Sequence, residues 1–114
     1  MNRVQIIGNI GKKPEFDYKK EKAVLKFSVA VNSKVNEQKV TEWFNVVVFE
    51  KLAETLKVYL ESGMPVFVEG PLKISKYKND KGEERQNVYI LAHKVNFFAN
   101  KNTEGTETEG DNEE

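Results

Sequence analysis

An alternation of apolar and polar side chains with a period of two runs through the middle of this chain and commits it to β structure. In residues 23–32 (AVLKFSVAVN), Ala23, Leu25, Phe27, Val29 and Val31 fall on one face, with Lys26, Ser28 and Asn32 on the other. In residues 42–49 (EWFNVVVF), Phe44, Val46 and Val48 share one face, and Trp43, Asn45, Val47 and Phe49 the opposite one. Both runs are rich in β-branched and aromatic residues, which fit a pleated, half-buried surface. Residues 3–10 read as an opening strand, and residues 65–77 and 86–98 as two late ones. Asn79-Asp80-Lys81-Gly82 supplies turn chemistry between the late pair. Pro65 suits a strand start, and Pro71 an irregularity or an edge.

One segment changes period. In residues 51–61 (KLAETLKVYLE), Leu52, Leu56, Tyr59 and Leu60 recur at helical spacing, and Ser62-Gly63 is a stop signal. The order is three strands, one helix, two strands. A small all-β body must dispose of its strand edges, and closing the sheet on itself is the economical way with so few strands. The expectation is an all-β fold: a five-stranded OB-fold barrel with one α-helix between the third and fourth strands.

Charge divides the chain where pattern does. Residues 1–101 hold all 18 basic residues against 12 acidic ones, a net +6, and residues 102–114 hold six acidic residues and no basic one. After Phe98 no large apolar residue follows, so residues 99–114 are expected to be an unstructured acidic tail on a folded domain of residues 1–98. A basic body points to a polyanion partner. With no cysteine and a single histidine, His93, no metal centre, cofactor site or catalytic triad is expected. The opening residues, Met1-Asn2-Arg3-Val4-Gln5, carry no apolar leader, and no apolar run reaches membrane-spanning length, so a cytoplasmic protein with no membrane partner is expected.

Trp43 and Phe49 lie opposite the core-facing Phe44, Val46 and Val48, which leaves two large aromatics facing outward on one strand. Aromatic platforms combined with positive charge are what single-stranded nucleic acid requires, because every base has a π-face and every linkage a phosphate. Phe16 and Tyr18 are expected to pack, with Tyr18 near the same path. Lysines of the segments 32–41 and 77–85, both read as loops, are candidate phosphate contacts.

The opening run Asn2-Arg3-Val4-Gln5-Ile6-Ile7-Gly8-Asn9-Ile10-Gly11-Lys12-Lys13-Pro14-Glu15 resembles the start of the bacterial single-stranded-DNA-binding proteins. Further matches follow in the same order: Phe27-Ser28-Val29-Ala30, Glu42-Trp43 through Phe49, Lys51-Leu52-Ala53-Glu54, Tyr59-Leu60, Gly63 and Val68-Glu69-Gly70. The resemblance implies an OB-fold homotetramer that coats and protects single-stranded DNA during replication, recombination and repair without catalysing a reaction. It implies DNA contacts from Trp43, Phe49, Tyr77, Lys73, Arg3, Asn45 and Lys51, and an oligomer interface at Pro65, Phe67 and Asn96. The chain also departs from that pattern. Asn45 and Ser75 stand where basic residues are expected, Glu61-Ser62 replaces basic residues after the helix, and the tail lacks the Pro-Phe tip through which the family docks replication and repair proteins. On the residues alone an RNA-binding module and a purely structural oligomer stay open.

Overall fold

The computed structural model describes residues 1–98, and the expected acidic tail lies outside the described residues. The two alternating runs form the longest strands. They are preceded by β1 (Val4–Ile10) and β2 (Glu15–Lys19), and are themselves β3 (Lys22–Val35) and β4 (Gln38–Phe49). The helix α1 (Glu50–Leu56) follows, then β5 (Pro65–Gly70), β6 (Leu72–Lys78), β7 (Glu84–Leu91) and β8 (Lys94–Phe97). β3 and β4 pair antiparallel without interruption from Val24↔Phe49 to Val35↔Gln38. Their inward residues Leu25, Val29, Val46 and Val48 are among the most completely buried side chains, together with Val66, Val68 and Ile90 from the late strands. Burial of each contributes on the order of 1.5–3 kcal/mol.

The barrel closes because the two late strands bend. The run expected over 65–77 breaks at Pro71 into β5 and β6, and the run over 86–98 breaks at Ala92-His93 into β7 and β8. β7 pairs parallel with β4, while β8, its continuation, pairs antiparallel with β5. The sheet order β6-β7-β4-β3-β1-β5-β8 thus has its far strand joined in the chain to β7, near its other end. Three successive amides fasten the bend. Leu91 N–H donates to the Pro71 carbonyl, Ala92 to Val47 and His93 to Glu69, each at 2.9 Å. The backbones cross so closely that a Cβ at Gly70 would lie 2.1 Å from the Leu91 carbonyl oxygen. The barrel accordingly uses five strand regions, as expected, with both late ones bent.

Four local details differ from the expectation. Residues 15–19 form the additional strand β2, paired with β3 from Glu15↔Lys26 to Lys19↔Lys22. Residues 32–41 are the outer half of the β3–β4 hairpin rather than a loop, because the ladder continues to a two-residue turn at Asn36-Glu37. Likewise β6 and β7 stay paired out to Lys78↔Glu84, which leaves a short turn where Asn79 Oδ1 accepts from the amides of Lys81 and Glu83. The helix is shorter than expected and ends at Leu56. Phe49, at the capping position before its first residue, offers no capping side chain, and Tyr59 N–H bonds back to the Leu56 carbonyl in a tightened turn. Ala53, Leu56 and Leu60 are buried against the barrel.

Both new hairpin turns hold non-glycine residues at positive φ: Lys20 52°, Glu21 68°, Asn36 53° and Glu37 66°. This is the backbone of the mirror-image turn that a two-residue hairpin needs, and glutamate is a poor occupant of it. A left-handed conformation costs an L-residue about 1–2 kcal/mol, of which glycine's greater unfolded-state entropy takes back part. Glu37→Gly is therefore expected to raise stability by about 0.5–1 kcal/mol in denaturant unfolding followed by circular dichroism. An unchanged or lower midpoint would show that the turn carries no strain.

Candidate nucleic-acid interface

Strand register decides which side chains share the outer surface. Across β3 and β4 the outward pairs are Lys26↔Val47, Ser28↔Asn45 and Ala30↔Trp43, with Val24↔Phe49 at the inner end and Asn32↔Thr41 beyond Trp43. The parallel pair Val47↔Leu91 carries this face onto β7, where Tyr89 and Asn87 follow at alternate positions. From β7 it passes to β6 through Tyr89↔Lys73, Asn87↔Ser75 and Arg85↔Tyr77. One continuous surface on four strands therefore holds Trp43, Phe49, Tyr89 and Tyr77. Trp43 is 61% exposed and Phe49 40%, although both are large and apolar.

Two adjoining hollows mark the surface. The first, about 360 Å³, is lined by Lys12, Lys13, Glu15, Lys26, Ser28, Asn45 and Val47 with Asn87 and Tyr89. The second, about 280 Å³, shares Lys26, Val47, Asn87 and Tyr89 and adds Lys19, Lys22, Val24, Phe49 and Ser75. Five lysines therefore line the pair of hollows with Glu15 as the single acid. Among the described residues the ion pairs are Arg3–Glu69 and Arg85–Glu83, so none of these lysines is neutralised by a carboxylate. Unpaired ammonium groups around aromatic and amide side chains form a surface suited to a polyanion whose subunits also stack. The described residues contain no cluster of acidic, histidine or cysteine side chains able to hold a metal ion, and no helix long and apolar enough to cross a membrane.

The structure brings together most of the residues singled out from sequence. Asn45 and Phe49 line the hollows, Lys73 is paired in register with Tyr89, and Trp43 lies one outward position beyond Asn45. Tyr77 is farther along the β6–β7 hairpin, beside Arg85. Two residues are elsewhere. Arg3 pairs with Glu69 at 3.2 Å and borders a separate hollow with His93 and Lys94. Lys51 is exposed on α1 and lines neither hollow of the outer face. Tyr18 also faces away: its partner on β3 is Ala23, its ring meets Phe16 edge-on at 5.2 Å, and its hydroxyl lies 3.4 Å from Glu54 of the helix. Sequence reasoning passed over Tyr89, Asn87 and Lys26 as contributors. Alternation in step with Leu91 would have placed the first two outward, but nothing local reveals that β7 abuts β4.

A second face carries the residues assigned to assembly. Outward positions on β1, β5 and β8 are joined through Gln5↔Glu69, Ile7↔Phe67, Asn9↔Pro65 and Phe67↔Asn96. Ile7 is 64% exposed at its centre and was not singled out from the sequence.

Residues 1–98 match the profile described as the single-strand binding protein family. The chain is similar to proteins named single-stranded DNA-binding protein from Neisseria meningitidis serogroup B, 36% identical over 108 residues, and from onion yellows phytoplasma, 37% identical over 106. These alignments cover 90% of this chain in each case, and 62% and 98% of the respective relatives. The chain thus spans less than two thirds of the length of the Neisseria protein. Its fold is similar to a solved structure described as a Plasmodium falciparum SSB complex with ssDNA, with a TM-score of 0.76, 24% identity, and coverage of 85% of this chain and 92% of that one.

Trp43 rests on Gly11. A Cβ built at Gly11 would lie 2.6 Å from Trp43 Cζ3 and 2.8 Å from Ser28 Oγ. Gly11→Ala should push the indole off its seat. Because Trp43 is the single tryptophan, its emission maximum in the free protein is expected to shift, with stability changed by less than about 1 kcal/mol because the ring can swing outward. An unaltered spectrum would mean that the ring is not held there.

Proposed function

The chain belongs to the single-strand binding protein family, and on that premise we propose that it binds single-stranded DNA without sequence preference. It protects the strand during replication, recombination and repair, and it is a cytoplasmic binding protein rather than an enzyme. The observation that carries this reading is the open outer face: two hollows bordered by Lys12, Lys13, Lys19, Lys22 and Lys26, with Phe49 and Tyr89 lining them and Trp43 beside them. Bases stack on the aromatics, and the phosphates between them meet the lysines. A duplex hides its base faces in its own stack and offers this surface only its backbone. Asn45 and Ser75, neutral on the same face, shift the charge to the rim, leaving the centre to stacking and amide hydrogen bonds.

The fluorescence of Trp43 tests this directly. Saturating oligo(dT) is expected to quench the emission, and duplex DNA at the same concentration to leave it nearly unchanged. Trp43→Ala should weaken oligo(dT) binding by about 1–3 kcal/mol, the usual scale of one base–aromatic stack. If the substitution instead lowers thermal stability and leaves affinity intact, Trp43 is a structural residue.

The outer face of β1, β5 and β8, with its exposed apolar centre at Ile7, supports the homotetramer implied by the family. Ile7 and Phe67 sit side by side across the ladder with Pro65 and Asn96 next to them, and covering Ile7 removes an isolated exposed apolar side chain from water. Sedimentation equilibrium at micromolar concentration is expected to give about four times the chain mass, as a closed symmetric assembly does. Ile7→Glu should lower that mass while leaving the circular dichroism of the fold unchanged. A wild-type monomer would overturn the assignment of this face.

A further inference from the structure

Both hairpins built on β3 end in a pair of lysines placed directly opposite each other. At one end Lys19 pairs with Lys22, flanking the turn at Lys20-Glu21. At the other Lys34 pairs with Lys39, one step from the turn at Asn36-Glu37. Alternation puts both pairs on the outer face. Lys22 is in step with Val24, Lys26 and Ser28, and Lys34 is in step with Ala30 and Asn32, the partners of Trp43 and Thr41. Directly opposed residues in an antiparallel ladder have Cβ atoms about 5 Å apart, and like charges there repel. Neither pair is relieved by a carboxylate. The ion pairs among the described residues involve Arg3 and Arg85 alone, and the acids nearest in sequence, Glu21 and Glu37, sit in the turns without pairing to these lysines. Asn32 and Thr41, the pair inside Lys34 and Lys39, hydrogen-bond to one another at 2.7 Å, which fixes the register that sets the two lysines opposite each other. A single favourable substitution would remove the repulsion, yet it occurs at both ends of the same strand.

We propose that the cross-strand pairs Lys19–Lys22 and Lys34–Lys39 are phosphate clamps at the two ends of the β3 outer face, repulsive in the free protein and relieved when a phosphodiester backbone lies between the two ammonium groups. The proposal rests on the reading of the outer face as a single-strand-binding surface and assigns residues to its two ends. Each pair is strained until bound, so the hairpin ends tighten on occupation, and part of the binding free energy is the removal of a repulsion already present. A phosphate bridging two opposed ammonium groups satisfies both at once, which an isolated surface lysine cannot arrange. Along β3 the twelve residue steps from Lys22 to Lys34 rise roughly 40 Å at the usual strand spacing, so the clamps address well-separated parts of a bound strand.

Charge-neutral double variants, Lys19→Gln with Lys22→Gln and Lys34→Gln with Lys39→Gln, test the clamps in the full chain. A third double variant, Lys57→Gln with Lys76→Gln, removes the same charge away from the outer face, Lys57 lying just past the end of α1 and Lys76 on the opposite face of the β6–β7 hairpin. Each clamp variant is expected to lower the slope of log Kobs against log salt for oligo(dT) by about 0.7, the value for the one phosphate each pair bridges, with the third variant close to wild type. Without DNA, each clamp variant should raise the thermal midpoint by about 1–4 °C at low salt, with the gain shrinking as sodium chloride is added. Slopes that fall equally in all three variants, slopes that do not fall in the clamp variants, or midpoints that do not rise would each overturn the proposal. Inorganic polyphosphate separates this from the parent reading. It should raise the midpoint of the wild type more than that of either clamp variant even if oligo(dT) fails to bind, and failure of oligo(dT) alone would sink the single-strand reading instead. Equal stabilisation of wild type and clamp variants by polyphosphate would remove the clamps.

Discussion

Three consecutive amide hydrogen bonds at the bend between β7 and β8 hold this barrel shut. Leu91, Ala92 and His93 donate in turn to Pro71, Val47 and Glu69, carbonyls on the β5–β6 bend at one side and on β4 at the other. Successive N–H groups of an extended chain point to opposite sides, so one strand that must satisfy neighbours on both sides at its bend ties them together. Steric room for this crossing comes from Gly70, where any side chain would collide with the Leu91 carbonyl. With the crossing in place β7 is held against β4 and β8 against β5, and the apolar faces of all the long strands are enclosed without a free edge between them.

Everything on the outside inherits its neighbours from that closure. The parallel contact of β7 with β4 sets Tyr89 and Asn87 beside Val47 and Lys26, which creates the hollows. The antiparallel contact of β8 with β5 sets Asn96 beside Phe67 and so completes the apolar face on the other side. The barrel thus presents two surfaces of opposite character. One is basic and aromatic and carries no neutralised lysine among its lining residues, while the other has an exposed isoleucine at its centre. Exposed single salt bridges contribute little to stability, so leaving lysines unpaired costs the fold little and keeps them available to a ligand. Of the two ion pairs among the described residues, Arg3–Glu69 lies off the basic hollows and holds Arg3 there, and Arg85–Glu83 lies at the far end of the β6–β7 hairpin.

Much of this was legible from local pattern. The alternation of Leu25, Phe27 and Val29 against Lys26 and Ser28 placed the core face correctly, and the same rule turned Trp43 and Phe49 outward. Pro71 signalled the break between β5 and β6. The hairpin turns were not legible, because Lys20-Glu21 and Asn36-Glu37 lack the glycine that usually marks a mirror-image turn, and their conformation is imposed by the ladders on either side. For the same reason nothing local marks β2 as a strand or residues 32–41 as part of a hairpin ladder. Helical spacing overstates the helix because Tyr59 keeps that spacing past its end. In the fold its ring stacks on Phe97 at 5.3 Å, and its N–H bonds to the Leu56 carbonyl in a turn beyond the last helical residue.

The sequence by itself determined which face of each strand is buried, since alternation is a property of consecutive residues and water alone sorts them. It also determined the order of the five main strand regions and the helix, and the basic character of the body. Tertiary structure alone decided which outward residues stand together. Tyr89 and Asn45 are separated by more than forty positions, yet they line one hollow, whereas Arg3 lies apart from the surface to which the family resemblance assigned it. The physical reason is that pairing between distant strands is fixed by closure of the barrel, a constraint distributed over Gly70, Leu91, Ala92 and His93 and written in no single segment.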